Sequence, residues 1–156
     1  MIRLGIIEEA WHVLQAIPEF DQRRSLAQLQ ARLPAGALVL IAETDGQPVG
    51  FKLGYAAEDG SLYSWLGGVL PAHRKTGLAQ RLLEAQEAWA AENGFAAVTV
   101  KSMNRYPAML RLLIRNGYRI RLVEHFGDPA RERIHFIKPL PWKGVQGHLL
   151  ANRALM

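Results

Sequence analysis

The chain has 156 residues, 49% of them hydrophobic, a formal charge of +5 at neutral pH and a pI near 9.9. This length predicts one globular domain with a full core. Zero Cys excludes disulfides, thiol catalysis and thiolate metal sites, and no segment approaches the ~18 consecutive apolar residues of a membrane span. The positive balance points to an anionic partner: nucleic acid, a phosphorylated cofactor or an acidic membrane surface.

Met1–Ala10 holds a short apolar stretch, which Glu8 and Glu9 interrupt before a signal-peptide core could form. The chain therefore reads as a soluble, cytoplasmic protein. Glu8–Ile17 and Gln22–Leu33 are predicted helices separated by Pro18, the second with Leu26, Leu29 and Leu33 at helical spacing. Ala37–Glu43 and Val49–Tyr55 are strand-like runs around Thr44-Asp45-Gly46-Gln47-Pro48, where Asp-Gly and Pro signal a turn. Asp59-Gly60 marks a second hairpin, leading into the run Leu62–Leu70, and Pro71 ends that run.

Leu78–Asn93 is predicted as a helix, with Leu78, Leu82, Ala85, Trp89 and Ala90 along its apolar side and Asn93-Gly94 as its stop. Phe95–Val100 follows as a short buried strand, so strand, helix and strand imply a parallel pair. Tyr106–Asn116 is a further helix, opened by Pro107, with Leu110, Leu113 and Ile114 as its stripe. Tyr118–Phe126 and Arg133–Ile137 form a closing hairpin across Gly127-Asp128-Pro129. The tail beyond Pro141 carries Leu149, Leu150 and Leu155 without an evident partner, which leaves a homodimer contact open.

Arg74-Lys75-Thr76-Gly77-Leu78-Ala79 lies between the third strand and the long helix. An anion there would meet unpaired backbone N–H groups, the positive end of the helix dipole and two basic side chains. Gly77 would let the backbone approach phosphate oxygens. Other groups point nowhere so specific. His12, His73, His125, His135 and His148 lack ligand spacing, so no metal site is expected. Arg105, Arg111, Arg115, Arg119 and Arg121 read by default as solvated surface, with cofactor phosphate contact or an acidic acceptor as the other readings, and Trp65 and Trp89 read as core. No nucleic-acid motif accompanies the charge, and the aromatics are not interleaved with the basic residues, so nucleic acid ranks behind a phosphorylated cofactor.

Gly68-Val69-Leu70-Pro71-Ala72-His73-Arg74-Lys75-Thr76-Gly77-Leu78-Ala79 resembles the cofactor-binding motif of the GNAT superfamily of acetyl-coenzyme A-dependent N-acetyltransferases. Asn104 with the helix running to Gly117-Tyr118 resembles the second half of the same site. The likeness covers about Ala37 to Ile137. It implies an α/β (α+β) three-layer fold, with a central mixed, mostly antiparallel sheet of six to seven strands flanked by helices. The whole of 1–156 would then be one N-acetyltransferase domain, with 141–156 as its tail.

The resemblance implies acetyl-coenzyme A as donor, its pyrophosphate on Arg74–Ala79 and its pantetheine arm beside Gly68-Val69-Leu70. A backbone N–H near Val69 would stabilise the thioester oxyanion, and Asn104 would reach the arm. The family often uses a Glu near the central strand as base and a Tyr, four residues before the Gly ending the downstream helix, as acid. Here the strand offers Tyr63, Ser64 and Trp65, and Leu113 stands at the Tyr position. Tyr106, close to Asn104, is the substitute acid. The expected function is acetyl transfer to a primary amine, with a non-catalytic acyl-coenzyme A-binding domain as the alternative reading. Nothing in the chain names the acceptor.

Overall fold

The computed structural model describes residues 1–20 and 24–141. Strands β1 (Ile2–Leu4), β2 (Leu38–Thr44), β3 (Gln47–Ala56), β4 (Leu62–Val69), β5 (Ala97–Met103), β6 (Arg119–Glu124) and β7 (Arg133–Pro139) form one seven-stranded mixed sheet in the order β1-β2-β3-β4-β5-β7-β6. Helices α1 (Ile7–Gln15), α2 (Leu26–Arg32), α3 (Leu78–Glu92) and α4 (Pro107–Arg115) complete it. The predicted fold class holds. The tail predicted beyond Pro141 lies outside the described residues. By contacts the chain divides into two compact units, Met1–Ala56 with Ser64–Trp89, and Ala57–Tyr63 with Ala90–Met156.

In the first unit, β1 was not legible as a strand. It is three residues long and gains its ladder from β2, pairing Ile2 with Ala42 and Leu4 with Leu40. Arg3 anchors it through Glu9 at 2.5 Å and Glu43 at 3.0 Å. Of the helix expected over Gln22–Leu33, Gln22 and Arg23 lie outside the described residues, and α2 begins at Leu26. Ser25 Oγ accepts from the Gln28 N–H at 3.1 Å and Gln28 Oε1 accepts from the Ser25 N–H at 2.8 Å. This Ser-x-x-Gln capping box fixes the start more firmly than helical spacing does.

The β2–β3 turn is Asp45-Gly46, both with positive φ, as a two-residue hairpin requires. Pro48 belongs to β3 rather than the turn. It faces Glu43 where the register shifts after Ala42, so the irregularity accommodates the missing N–H. Ala10, Val13, Leu14, Ile17, Leu29, Ile41, Phe51 and Leu53 pack as one buried cluster.

Helix α3 is rotated relative to the expected stripe. Leu78, Leu82, Leu83, Gln86, Ala90 and Ala91 are its buried residues, whereas Ala85 and Trp89 are half-buried. The rotation brings one polar side chain of the helix into the interior, and Lys52 of β3 is buried as well. Gln86 is fully buried, and neither its Oε1 nor its Nε2 has a hydrogen-bond partner among the described residues. Lys52 is 5% exposed, and burial pushes its ammonium down to about 8, against the attraction of Glu87. Its stem runs over Gly67, where an added Cβ would lie 3.1 Å from Lys52 Cγ. A Cβ on Gly68 would approach Ile17 Cδ1 to 2.6 Å.

In the second unit, β7 pairs antiparallel with both β5 and β6, so the predicted hairpin is present and its second strand sits inside the sheet. Val98, Val100, Leu112, Leu113, Ile134 and Phe136 are buried there. The expected α4 stripe is displaced: Leu112 joins Leu113 inside, while Ile114 is exposed. The five arginines of the basic series are all exposed.

Candidate active site

In the first unit, the chain leaves β4 through a tightly bonded corner. The Leu70 N–H donates to the Val49 carbonyl at 2.8 Å, and the Leu70 carbonyl accepts from the His73 N–H at 2.9 Å. Pro71–His73 make one 3-10 turn, and Thr76 Oγ1 donates back to the His73 carbonyl at 2.6 Å. Lys75 and Gly77 then adopt positive φ, 62° and 84°. For a lysine this costs about 1–2 kcal/mol, and such strain gathers where a ligand is held.

The Arg81 N–H donates to the Gly77 carbonyl at 3.0 Å, closing the first helical turn. The N–H groups of Leu78 and Ala79 precede that bond and have no acceptor within the helix. A Cβ built on Gly77 meets nothing within 4 Å. Glycine is thus demanded by φ and not by protein packing, and the space above the loop is open. Left-handed residues alternating ahead of a helix N-terminus produce a concave row of N–H groups suited to phosphate. The loop fits a pyrophosphate.

Arg74 sits differently from its sequence expectation. Its guanidinium forks onto Glu19, at 2.5 and 2.8 Å, while its Nε donates to the Val69 carbonyl at 3.1 Å. The Arg74 hydrogen bond holds the Glu19 carboxyl below its usual range. Nothing in the sequence marked Glu19, which lies 55 positions from its partner. A phosphate on the loop would compete with Glu19 for this cation. Glu19→Gln should therefore tighten coenzyme A binding by roughly two- to five-fold, the equivalent of releasing an exposed pair worth under about 1 kcal/mol. Calorimetry checks this, and an unchanged affinity would mean that Arg74 stays on Glu19 in the complex.

In the second unit, Asn104 Nδ2 donates to the Pro129 carbonyl at 2.9 Å, tying the end of β5 to the β6–β7 connection. Tyr106 is the N-cap of α4, with the Arg105 guanidinium 5.1 Å from its ring centre. Leu113 is fully buried. His135 Nε2 lies 2.6 Å from Glu124 Oε1 and lowers that carboxyl, a pair that histidine spacing could not reveal. Among the described residues, no three His, Asp or Glu side chains gather as a metal site, and no helix is long and apolar enough to cross a membrane.

Residues 6–118 match the family model for the Acetyltransferase (GNAT) family. The chain belongs to the GNAT acetyltransferase family. It is accordingly an acyltransferase with acetyl-coenzyme A as donor. A comparison with curated proteins found no match.

Solved structures agree on the fold. The ribosomal-protein-S18-alanine N-acetyltransferase from Escherichia coli is 17% identical, with a TM-score of 0.80 over 93% of this chain and 96% of that one. Ard1 from Thermoplasma volcanium is 17% identical, with a TM-score of 0.74 over 90% and 97%. The yncA protein from Salmonella typhimurium, solved with its cofactor acetyl-CoA, is 18% identical, with a TM-score of 0.72 over 93% and 96%.

Proposed function

We propose that this acetyltransferase moves the acetyl group of acetyl-coenzyme A to a primary amine by direct attack. The supporting observation is the loop Arg74–Ala79, where left-handed Lys75 and Gly77 precede Leu78 and Ala79, whose N–H groups have no acceptor within α3. In this reading Lys75, Thr76, Gly77, Leu78 and Ala79 hold the pyrophosphate, joined by Arg74 once Glu19 is displaced. The pantetheine arm runs beside β4 near Val69. The Leu70 N–H and carbonyl already have partners, so pairing on that strand falls to groups ahead of Leu70. By the family likeness, Asn104 is the residue of the second unit expected to serve the arm.

The amine must arrive neutral. For a lysine-like amine with pKa about 10.4, deprotonation at pH 7 costs roughly 4–5 kcal/mol. The nitrogen then attacks the thioester carbonyl carbon, the C–N bond forms, the C–S bond breaks, and the excess ammonium proton is lost. A Val69 N–H directed at the developing oxyanion would supply about 3 kcal/mol. Tyr106 is the side chain assigned to thiolate protonation. With a thiol pKa near that of cysteine, about 8.5, solvent can share the task. The two units together make one N-acetyltransferase domain in the cytoplasm, with the segment from 141 as tail and a homodimer as the state to look for.

Calorimetry with acetyl-coenzyme A, followed by thiol-release assays across a broad amine panel, tests the reading. Micromolar binding with acetylation of at least one amine class is expected. No binding at millimolar acetyl-coenzyme A would overturn it.

A further inference from the structure

A second cationic feature lies in the first unit, away from the phosphate loop. Trp65 of β4 is half-buried, and two guanidiniums rest against its indole, Arg32 at 4.9 Å and Arg24 at 5.5 Å from the ring centre. Tyr55 of β3 meets the same indole edge-on at 6.3 Å, and its hydroxyl accepts from Arg32 Nε at 3.0 Å. Arg24 is fixed through its backbone, since Trp11 Nε1 and Gln15 Nε2 both donate to its carbonyl, at 2.9 and 3.0 Å. The sequence reads Trp65 as core, whereas the structure leaves it half-buried.

The arrangement is electrostatically incomplete. Two like charges share one ring, and among the described residues neither guanidinium has a carboxylate partner. Among those residues the terminal amino groups of Arg32 and the whole Arg24 guanidinium also lack hydrogen-bond acceptors. Stacking orients a guanidinium and leaves its N–H fork free for a planar or tetrahedral oxyanion, which a lysine could not match. Two other arginines of this unit are matched to carboxylates: Arg3 to Glu9 and Glu43, and Arg74 to Glu19.

Its place on β4 connects it to the chemistry. Trp65 stands four residues before Val69, about 13 Å along a strand. We propose that Arg24 and Arg32, held on Trp65 and Tyr55, bind an anionic group of the acceptor. The acceptor is then a small amine carrying a carboxylate or phosphate on the order of 10 Å from its nitrogen. This inference rests on the amine-acetylation reading and specifies its substrate class.

The test uses ω-amino acids from four to ten carbons with their matched carboxamides, and ω-aminoalkyl phosphates with their matched alcohols. Acetyl-coenzyme A affinity is measured separately, so a failure of the donor reading shows there first. The expected result is a kcat/KM at least ten-fold higher for the anionic member of each pair, with an optimum at intermediate chain length. The better series decides between carboxylate and phosphate.

Arg24→Gln and Arg32→Gln should each raise KM for anionic amines about ten-fold, leaving kcat, donor affinity and activity on neutral amines within about two-fold. A second readout is independent of turnover. With coenzyme A saturating, 8-aminooctanoate and 8-aminooctyl phosphate should shift the Trp65 indole N–H resonance, assigned through Trp65→Phe, and their neutral counterparts should not. Equal use of charged and neutral partners, or an unmoved Trp65 signal with both anionic probes, would overturn the proposal.

Discussion

Gly77→Glu should weaken acetyl-coenzyme A binding by roughly 100- to 1,000-fold while leaving the protein folded. Gly77 has φ 84° and open space beyond it, so the new side chain has room, but its carboxylate would stand where the loop is proposed to receive phosphate. Two unit charges at about 4 Å in an effective dielectric near 20 repel by roughly 4 kcal/mol, about three orders of magnitude in affinity before screening. The backbone strain of a non-glycine residue there is about 1–2 kcal/mol, which a domain stable by about 5–15 kcal/mol survives. Gly77→Ala separates the effects, since it carries the strain without the charge. Calorimetry on both variants, alongside melting curves, is the measurement. Equal affinities for the two would show that the loop does not hold the phosphates.

The second large effect concerns Lys52. Its ammonium titrates near 8 when folded and at the ordinary 10.5 when unfolded. Between those values the unfolded chain binds more protons, so stability must rise with pH across that window and stay flat below it. The full rise is about 3 kcal/mol from the 1.36 kcal/mol carried by each pK unit. Lys52→Met keeps the stem and removes the buried charge. It should be more stable than the parent by about 2–3 kcal/mol at pH 7, an advantage that vanishes by about pH 11. Urea denaturation of both proteins at pH 7, 9 and 10.5 reads the difference, in which other titrating groups cancel. A pH-independent difference would show that Lys52 is hydrated when folded.

The elements that sequence made visible are those whose determinants are local. Asp45-Gly46, Asn93-Gly94 and Pro107 each act within a turn or two, and the hairpin and helix ends they mark stand close to where expected. The strand-to-helix turn at Arg74–Ala79 was legible for the same reason, since its determinants lie within six consecutive residues. What stayed hidden depends on partners far along the chain. Residues Ile2–Leu4 become a strand only because β2 offers an edge. The α3 stripe was misplaced because helical period alone cannot tell Gln86 from Ala85 as the residue facing inward. The grip of Glu19 on Arg74 and the stacking of Arg24 and Arg32 on Trp65 join positions with no shared motif. No motif announces contacts of this long-range kind, which is why the sequence pointed to the donor and left the acceptor unnamed.

The close approaches at Gly67 and Gly68 have a bearing on how the sheet can change. Each glycine is one half of a shared volume whose other half belongs to Lys52 or Ile17. Residues 17 and 68 therefore form a single unit of variation, as do 52 and 67. A larger residue at 68 must displace the Ile17 δ-methyl, the mobile end of that side chain, and trimming Ile17 alone opens a void that an alanine at 68 would refill. Related acetyltransferases are then expected to trade bulk across these pairs, and a library that varies 17 with 68, and 52 with 67, should return more folded variants at the two glycines than one that varies them alone.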